Sequence, residues 1–460
     1  MSAGRGGNAA IAGGAQAERE GECRLSERKN VGVVLSTPWG NASELKDRRL
    51  YPGAGTPAEE VARNQRERLF GAIVALSAER GYEAITVADV LSLSGVSRSA
   101  FYQHFANKSE CLAAAVSELV EPTLAALGPT DGNGGSREAS AIFEAFFALL
   151  RAQPAAARAY FVELHAAGEG GEAVGDRGVE ALAARAEALS DGPAGNWRSD
   201  RQLVRALIAG LRKLIHTRLV RGEEAELESL APELWQWLMS VAPPPGPLAS
   251  PRRQRSASTP FEGYTPGEKI ARAVAAVIAE KGYGATSTDD IAARAAISLS
   301  TFYAHFADKR DAVLGALEMS GAQIMALALP AARRAGDWQE GVRALYEAIC
   351  AYFAAEPAMA QLATVGVYGA GPRALARRDR VIDTLAAMLS PGFEENRSAP
   401  AVSAEAIAAT VYALLREQVR TDGAESLGAV VPLATYISLV TFIGPDRALA
   451  VANGERASKR

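Results

Sequence analysis

The chain has 460 residues, enough for about three domains of ordinary size. With 48% hydrophobic and 22% charged residues it is not disordered throughout, and a net charge of −4 excludes coating of nucleic acid by bulk positive charge, though not a local basic face. Cys23, Cys111 and Cys350 lie far apart, so neither a disulfide framework nor a cysteine metal site is expected, and a reducing, cytoplasmic compartment fits best.

Residues 1–58 are Gly-, Ala- and charge-rich without periodicity and read as a disordered leader. The N-terminus lacks the apolar core of a signal peptide. From there the chain repeats itself. Residues 66–110 and 267–311 align without a gap at an offset of 201, with 17 identities in 45 positions. Phe143, Glu144, Ala145 and Pro154 sit 203 positions before Tyr346, Glu347, Ala348 and Pro357, which extends the repeat to a unit of about 200 residues.

Each copy opens with an amphipathic helix, marked by Leu69, Ile73 and Leu76 in the first and Ile270, Val274 and Val277 in the second. Gly81 and Gly282 stand where a left-handed cap would end those helices. Thr86 with Asp89, and Ser287 with Asp290, read as capping boxes that start a second, short helix. That helix ends near Gly95 or Ala296, and Ser97 or Ser298 caps a third. Phe101 and Phe105, or Phe302 and Phe306, share one face at i, i+4 and are expected in the core. Asn107 with Glu110, and Asp308 with Asp311, cap a fourth helix. Two short helices joined by a tight turn and braced by a first form a helix-turn-helix.

The exposed face of the third helix carries the chemistry. In the first copy it presents Arg98, Ser99, Tyr102 and His104, with Lys108 at the following cap. Arg and Ser near the start of such a helix reach base edges, whereas Tyr, His and Lys at its far end suit phosphate oxygens. The helix starts at Thr86 and Asn107 add backbone N–H donors.

These residues resemble the tetracycline-repressor (TetR) family of bacterial transcriptional regulators. The resemblance rests on TVADVLSLSGVSRSAFYQHFANK at 86–108 and STDDIAARAAISLSTFYAHFADK at 287–309. It implies that the third helix enters the major groove. It also implies phosphate contacts by Tyr102, His104 and Lys108, then by Tyr303, His305 and Lys309, with Thr86 and Ser287 at the phosphate-contacting start of the second helix. Ser97, Arg98 and Ser99 correspond to Ser298, Leu299 and Ser300 in the second copy. Leu299 can touch a thymine methyl but cannot read guanine as Arg98 can. Ala296 replaces Gly95 in the turn, at a cost of about 1 kcal/mol if its φ is positive. Residues 61–110 carry a net charge of +1 and residues 262–311 one of −1, so the second copy is the weaker reader.

The fold expected is all-α, with each helix-turn-helix followed by a bundle of about five or six helices. The limits are 1–58 leader, 59–110 first DNA-binding domain, 111–242 first effector and dimerisation bundle, and 243–260 linker. Then come 261–311 second DNA-binding domain, 312–447 second bundle, and 448–460 polar tail. The linker is Pro-, Ser- and Arg-rich, and its Arg252, Arg253 and Arg255 are expected to be solvated. Uncharged 426–445 has spanning length but reads as a buried helix, so no membrane partner is expected. His165 and His216 lack a metal-spaced partner and read as satisfied histidines. Tyr160, Trp197, Tyr346, Tyr352 and Tyr368 are candidates to line an effector cavity, though each is also ordinary packing. Of Trp235 and Trp237, one is expected in the core and the other at an interface.

No catalytic constellation, metal set or cofactor motif is present in the sequence, so an enzyme is not expected. The function expected is sequence-specific binding of an operator in duplex DNA, by a cytoplasmic, nucleoid-associated repressor released by a small-molecule effector. The two units are expected to pair within the chain through helices at 203–240 and 404–443, with a homodimer as the other arrangement. The rival reading is an effector-sensing or partner-binding protein that has lost DNA binding in one or both copies.

Overall fold

A computed structural model describes residues 36–51, 53, 56–126, 135–189, 201–249 and 264–455. Most of the leader, Trp197, Arg252, Arg253, Arg255 and the end of the tail lie outside these residues.

The architecture is helical, apart from a two-residue β-hairpin of β1 (Ser36–Thr37) and β2 (Gly40–Asn41). The first unit runs through α1 (Ala58–Arg80), α2 (Val87–Ser94), α3 (Arg98–His104), α4 (Lys108–Ala126), α5 (Gly135–Ala152), α6 (Pro154–Phe161), α7 (Gly168–Leu189), α8 (Arg201–Arg221) and α9 (Leu227–Ser240). The second follows as α10 (Pro266–Ala285), α11 (Thr288–Ala295), α12 (Leu299–His305), α13 (Lys309–Arg334), α14 (Trp338–Ala355) and α15 (Pro357–Thr364). It continues with α16 (Pro372–Ala387), α17 (Gly392–Glu395), α18 (Ser403–Asp422), α19 (Val431–Ile443) and α20 (Pro445–Ala452). The short α17 and α20 have no counterpart among the described residues of the first unit, so the second bundle exceeds the helix number expected.

Among the described residues three large hydrophobic cores organise these helices, beside a small cluster of Ile382, Ala408 and Tyr412. One lies under the first helix-turn-helix, around Leu69, Ile73, Phe101 and Leu112, and one under the second, around Ile270, Val274, Phe302 and Val313. The third is built jointly. Phe147, Leu207 and Trp237 from the first unit share it with Leu345, Tyr436 and Leu439 from the second. The uncharged stretch of α19 is buried in this joint core, from Val431 to Phe442. Trp237 is fully buried there, and Trp235 packs at the margin, its ring 5.6 Å from that of Phe143.

Helices α8 and α18 cross where the two units meet. Gly210 makes the approach possible: a Cβ there would lie 2.6 Å from the Cα of Thr410. Ion pairs flank the crossing, with Arg416 bonded to Glu172 at 2.7 Å, Arg420 to Asp176 at 2.9 Å and Arg221 to Asp383 at 2.6 Å. Nearer the ends of the units, the Tyr436 hydroxyl donates to the Ala242 carbonyl at 2.8 Å, and Ser240 meets Thr441 at 2.9 Å.

Two expectations at the chain ends need correction. The segment reading as a structureless leader is ordered over residues 36–51. Leu45 is fully buried in the first core, and the Trp39 ring lies 5.4 Å from that of Phe70. Two apolar side chains among polar neighbours hold this strap, a pattern too sparse for periodicity to reveal. The polar tail does not begin at 448 either, because α20 runs to Ala452 with Ala448, Val451 and Ala452 buried. The start of the linker is pinned to that end, with the Ala249 N–H donating to Asn453 Oδ1 at 2.7 Å.

Candidate nucleic-acid interface

The second and third helices of each copy form where their caps dictate. Thr86 accepts from the Asp89 N–H while Asp89 accepts from the Thr86 N–H at 2.8 Å. Ser287 and Asp290 repeat the arrangement. Both carboxyls are held below the usual range. For Asp89 the cause is the Thr86 hydroxyl and N–H, and for Asp290 it is Lys281, then Ser287. Ser97 and Ser298 cap the third helices by accepting from the N–H groups of Ala100 and Thr301. Asn107 and Asp308 cap the fourth, accepting from Glu110 at 2.9 Å and Asp311 at 2.8 Å.

The turn between the short helices differs in kind between copies. Gly95 takes the left-handed conformation at φ 63°, and Ala296 is forced into the same region at φ 54°. Ala296 is the one non-glycine residue with positive φ among the described residues. Gly81 and Gly282 also have positive φ, but their ψ of 143° and 162° is extended, so the left-handed caps expected there do not form. The chain instead leaves α1 outward into a turn whose carbonyls meet a lysine.

That lysine is Lys108, and in the second copy Lys309. Lys108 Nζ donates to the carbonyls of Tyr82 at 2.9 Å and Ile85 at 3.0 Å, and lies 4.2 Å from the Tyr82 ring centre. Lys309 repeats this with Tyr283 and Thr286, both at 2.7 Å. Burial lowers both ammonium pKa values. Each ammonium has three donors, so one N–H remains for an outside acceptor.

Phe101 and Phe302 anchor the third helices from beneath, fully buried, whereas Phe306 is only partly buried, unlike Phe105. The opposite face is open. Tyr102 is 48% exposed and Tyr303 is 55% exposed, large values for aromatic side chains. Arg98, Ser99, Ser300 and Leu299 are exposed beside them, and the Arg98 guanidinium leans over the Tyr102 ring at 5.8 Å. The Ser300 hydroxyl meets that of Ser298 at 2.7 Å.

Both histidines already have a partner within their own domain, His104 partly buried and His305 exposed. His104 Nε2 lies 3.0 Å from Gln65 Oε1, and burial followed by Arg66 lowers its pKa. His305 Nδ1 lies 3.0 Å from the Thr301 carbonyl. A carbonyl only accepts, so Nδ1 carries the proton and Nε2 of neutral His305 presents a lone pair. A phosphate contact through that nitrogen requires the ring to be protonated.

Several supports escaped sequence reasoning. Buried Arg68 donates to the Ser94 carbonyl at 3.1 Å, tying α1 to the end of α2. Its position next to Leu69 in an apolar stripe is the signal that an arginine there points inward. Gln65 fixes His104 with no sequence signature. The strap reaches this region too, since a Cβ on Gly95 would lie 3.0 Å from Lys46 Cγ. Among the described residues no cluster of His, Cys, Asp or Glu could hold a metal ion.

Residues 69–115 and 270–315 each match the family described as bacterial regulatory proteins, tetR family. No curated protein matches the chain. Solved structures similar to it include the fatty acid degradation regulator FadR from Bacillus halodurans, 17% identical, covering 40% of this chain and 98% of that one, with a TM-score of 0.34. The TetR family transcriptional regulator PfmR from Thermus thermophilus is 23% identical, covering 39% of this chain and 97% of that one, with a TM-score of 0.33.

Proposed function

We propose that this chain, which belongs to the tetR family of bacterial regulatory proteins and carries that family's DNA-binding domain twice, reads one operator with both domains at once. It is a DNA-binding transcriptional regulator, and we infer that it is a repressor which a small-molecule effector releases. We place the DNA-binding domains at 59–110 and 261–311 and the effector bundles at 111–242 and from 312 through α20, which ends at Ala452, with the strap at 36–51 packed on the first DNA-binding domain.

The observation that carries this reading is the joint core, with α8 crossing α18 at Gly210 and Thr410. Two-fold pairing of regulator subunits ordinarily needs two chains, and it sets the half-site spacing at about 34 Å, one helical turn. Here covalent fusion supplies both partners. Arg98, Ser99 and Tyr102 would read and grip one half-site, with Leu299, Ser300 and Tyr303 on the other. Lys108 and Lys309 would each give their remaining N–H to a phosphate. Because Leu299 stands in the second copy where Arg98 stands in the first, the operator is an imperfect palindrome whose stronger half-site meets the first copy.

Effector release follows if the ligand prefers one spacing of the reading helices over another. Light scattering on the full chain, combined with footprinting on upstream DNA, tests the pairing. One chain per operator is the expected result, and two chains protecting two full operators would overturn it. Failure to bind any DNA at low salt would favour the sensor that has lost DNA binding, a reading that Leu299, Ala296 and the negative second domain support for the second copy.

A further inference from the structure

Where the two units meet beside the α8–α18 crossing, the joint core gives way to a cluster of buried cations. Arg212, Lys213 and His216 come from α8, His165 from the turn before α7, Tyr368 from the turn before α16, Arg378 and Asp379 from α16, and Tyr412 and Arg416 from α18. Rings hold the middle. His165 stacks on Tyr368 at 4.3 Å, and His216 lies 5.6 Å from each. Arg378 and Arg416 approach the Tyr368 ring at 4.9 Å and 5.2 Å.

The charges do not balance. Asp379 accepts from both Lys213 and Arg378 at 2.9 Å, and Glu172 pairs with Arg416. Arg212 has no carboxylate partner among the described residues and lies over the Tyr160 ring at 5.3 Å. Four basic groups thus meet two carboxylates, and burial followed by Arg378 lowers the Lys213 ammonium to about 7, which leaves the three guanidinium groups as the standing positive charge. The hydrogen bonding is incomplete in the same sense: Arg378 Nη1, Arg212 Nε and Nη2, and Arg416 Nε are buried donors without a partner among the described residues. Arg378 is only 4% exposed. Buried guanidinium N–H groups are ordinarily satisfied, and an excess of buried positive charge is ordinarily neutralised. His216 is of no help, since its Nδ1 donates to the Phe161 carbonyl at 2.8 Å and its Nε2 lone pair faces Arg378. Neither the ring nitrogens of His165 nor the hydroxyl of Tyr368 has a hydrogen-bond partner among the described residues. His165, Tyr368, Arg212 and Arg416 remain partly accessible, so solvent reaches the cluster.

We propose that this seam binds a small molecule through an oxyanion, a carboxylate or a phosphate, held by Arg212, Arg378 and Arg416 with His165 and Tyr368 beside it. Arginine suits the task because its planar fork matches two oxygens at once. The ligand would touch both units, Arg212 and His165 on one side and Arg378, Arg416 and Tyr368 on the other. It would therefore favour one relative setting of the two reading heads over another. That regulatory half rests on the effector reading proposed above, whereas the anion site itself does not.

The test uses the full chain with inorganic phosphate and with acetate, each compared with chloride at equal ionic strength. Thermal unfolding and calorimetric titration are read on the wild type, Arg212→Met and Arg378→Met. One or both oxyanions are expected to raise the wild-type midpoint by several degrees and to titrate with measurable heat. Which of them does so identifies the headgroup. Arg212→Met is expected to fold at least as well as wild type in chloride, because it removes a charge that has no carboxylate partner among the described residues, and to lose the oxyanion response at least tenfold. Should Arg378→Met fail to fold, Arg212→Met and Tyr368→Phe decide the matter. Equal midpoints in chloride and in both oxyanions would overturn the site, as would an undiminished response in Arg212→Met. An operator mobility shift separates the two claims. Oxyanion binding with unchanged operator affinity overturns the regulatory half and keeps the site. Loss of the site leaves effector release to some other ligand.

Discussion

Replacing Gly210 by alanine puts a methyl group where two helix backbones cross. Its Cβ would lie 2.0 Å from Thr410 Oγ1 and 2.6 Å from Thr410 Cα. The hydroxyl could turn away only by giving up its bond to the Ala406 carbonyl at 2.8 Å, and the Cα cannot turn away at all. Restoring ordinary contact at 3.4 Å requires α8 and α18 to part by about 0.8 Å. A gap of that size forfeits roughly a quarter to a half of the dispersion energy between facing atoms. Overpacking a core in this way costs about 1–3 kcal/mol, and the upper end applies where backbone is the obstacle. Against it stands a gain of about 1 kcal/mol, since alanine is the better helix former. The net expectation is a loss of about 2 kcal/mol, read by urea unfolding followed by far-UV circular dichroism. Gly284→Ala, with nothing within 4 Å, is the control and stays within about 0.5 kcal/mol of the parent. Operator affinity should fall with Gly210→Ala as well, because the reading heads are respaced. A variant more stable than the parent by the helix-propensity gain alone would refute the crossing.

Ala296→Gly relieves a left-handed alanine and should stabilise the second helix-turn-helix by up to about 1 kcal/mol, seen as a higher thermal midpoint. Phe101→Ala and Phe302→Ala each empty a fully buried ring site, should cost about 3–5 kcal/mol, and should abolish operator binding by the copy affected in footprinting. Lys108→Ala should weaken binding at every DNA sequence and flatten the salt slope by about one unit. It should also lower stability by roughly 1–2 kcal/mol, because the Tyr82 and Ile85 carbonyls lose their donor. Burial holds His165 and His216 well below their usual pKa, helped by Arg212 for the first and Lys213 for the second. The unfolded chain takes up these protons near pH 6.5 while the folded chain does not, so stability falls with pH below that point. For His216, buried and bonded to the Phe161 carbonyl, a loss of stability between pH 7 and pH 5 is the expected result, measured by chemical unfolding at each pH.

The helix-turn-helix was legible because its signals are local. Thr86 and Asp89, Ser97, Asn107 and Glu110 stand at fixed short offsets, and their caps form between residues three apart. The strap offered no such signal, since Leu45 and Trp39 are isolated apolar residues in a polar run. The seam was illegible for a different reason. Arg416 and Glu172 are 244 residues apart, and Lys213 and Asp379 are 166 apart, so no window of sequence contains either pair. The bond that holds His104 was hidden likewise. His104 reads as a phosphate contact from its motif, but its partner Gln65 lies 39 residues earlier on the helix behind it.

His165 and Tyr368 occupy matching places in the two units, at the same offset of 203 that relates Pro154 to Pro357. Residues that lie on the two-fold axis of a pair of identical chains touch their own copies. Here a histidine lies against a tyrosine, and the arginines beside them belong mostly to the second unit. The walls of the seam are therefore unlike, and a molecule lodged between them has one orientation and one berth per chain. If the seam binds a ligand as proposed, the saturation curve would be a simple hyperbola with a Hill coefficient of about one, because the matching positions of the two units are spent on a single seam. Covalent linkage also keeps the two halves together at any dilution, so a few molecules per cell would respond with the same sensitivity as many.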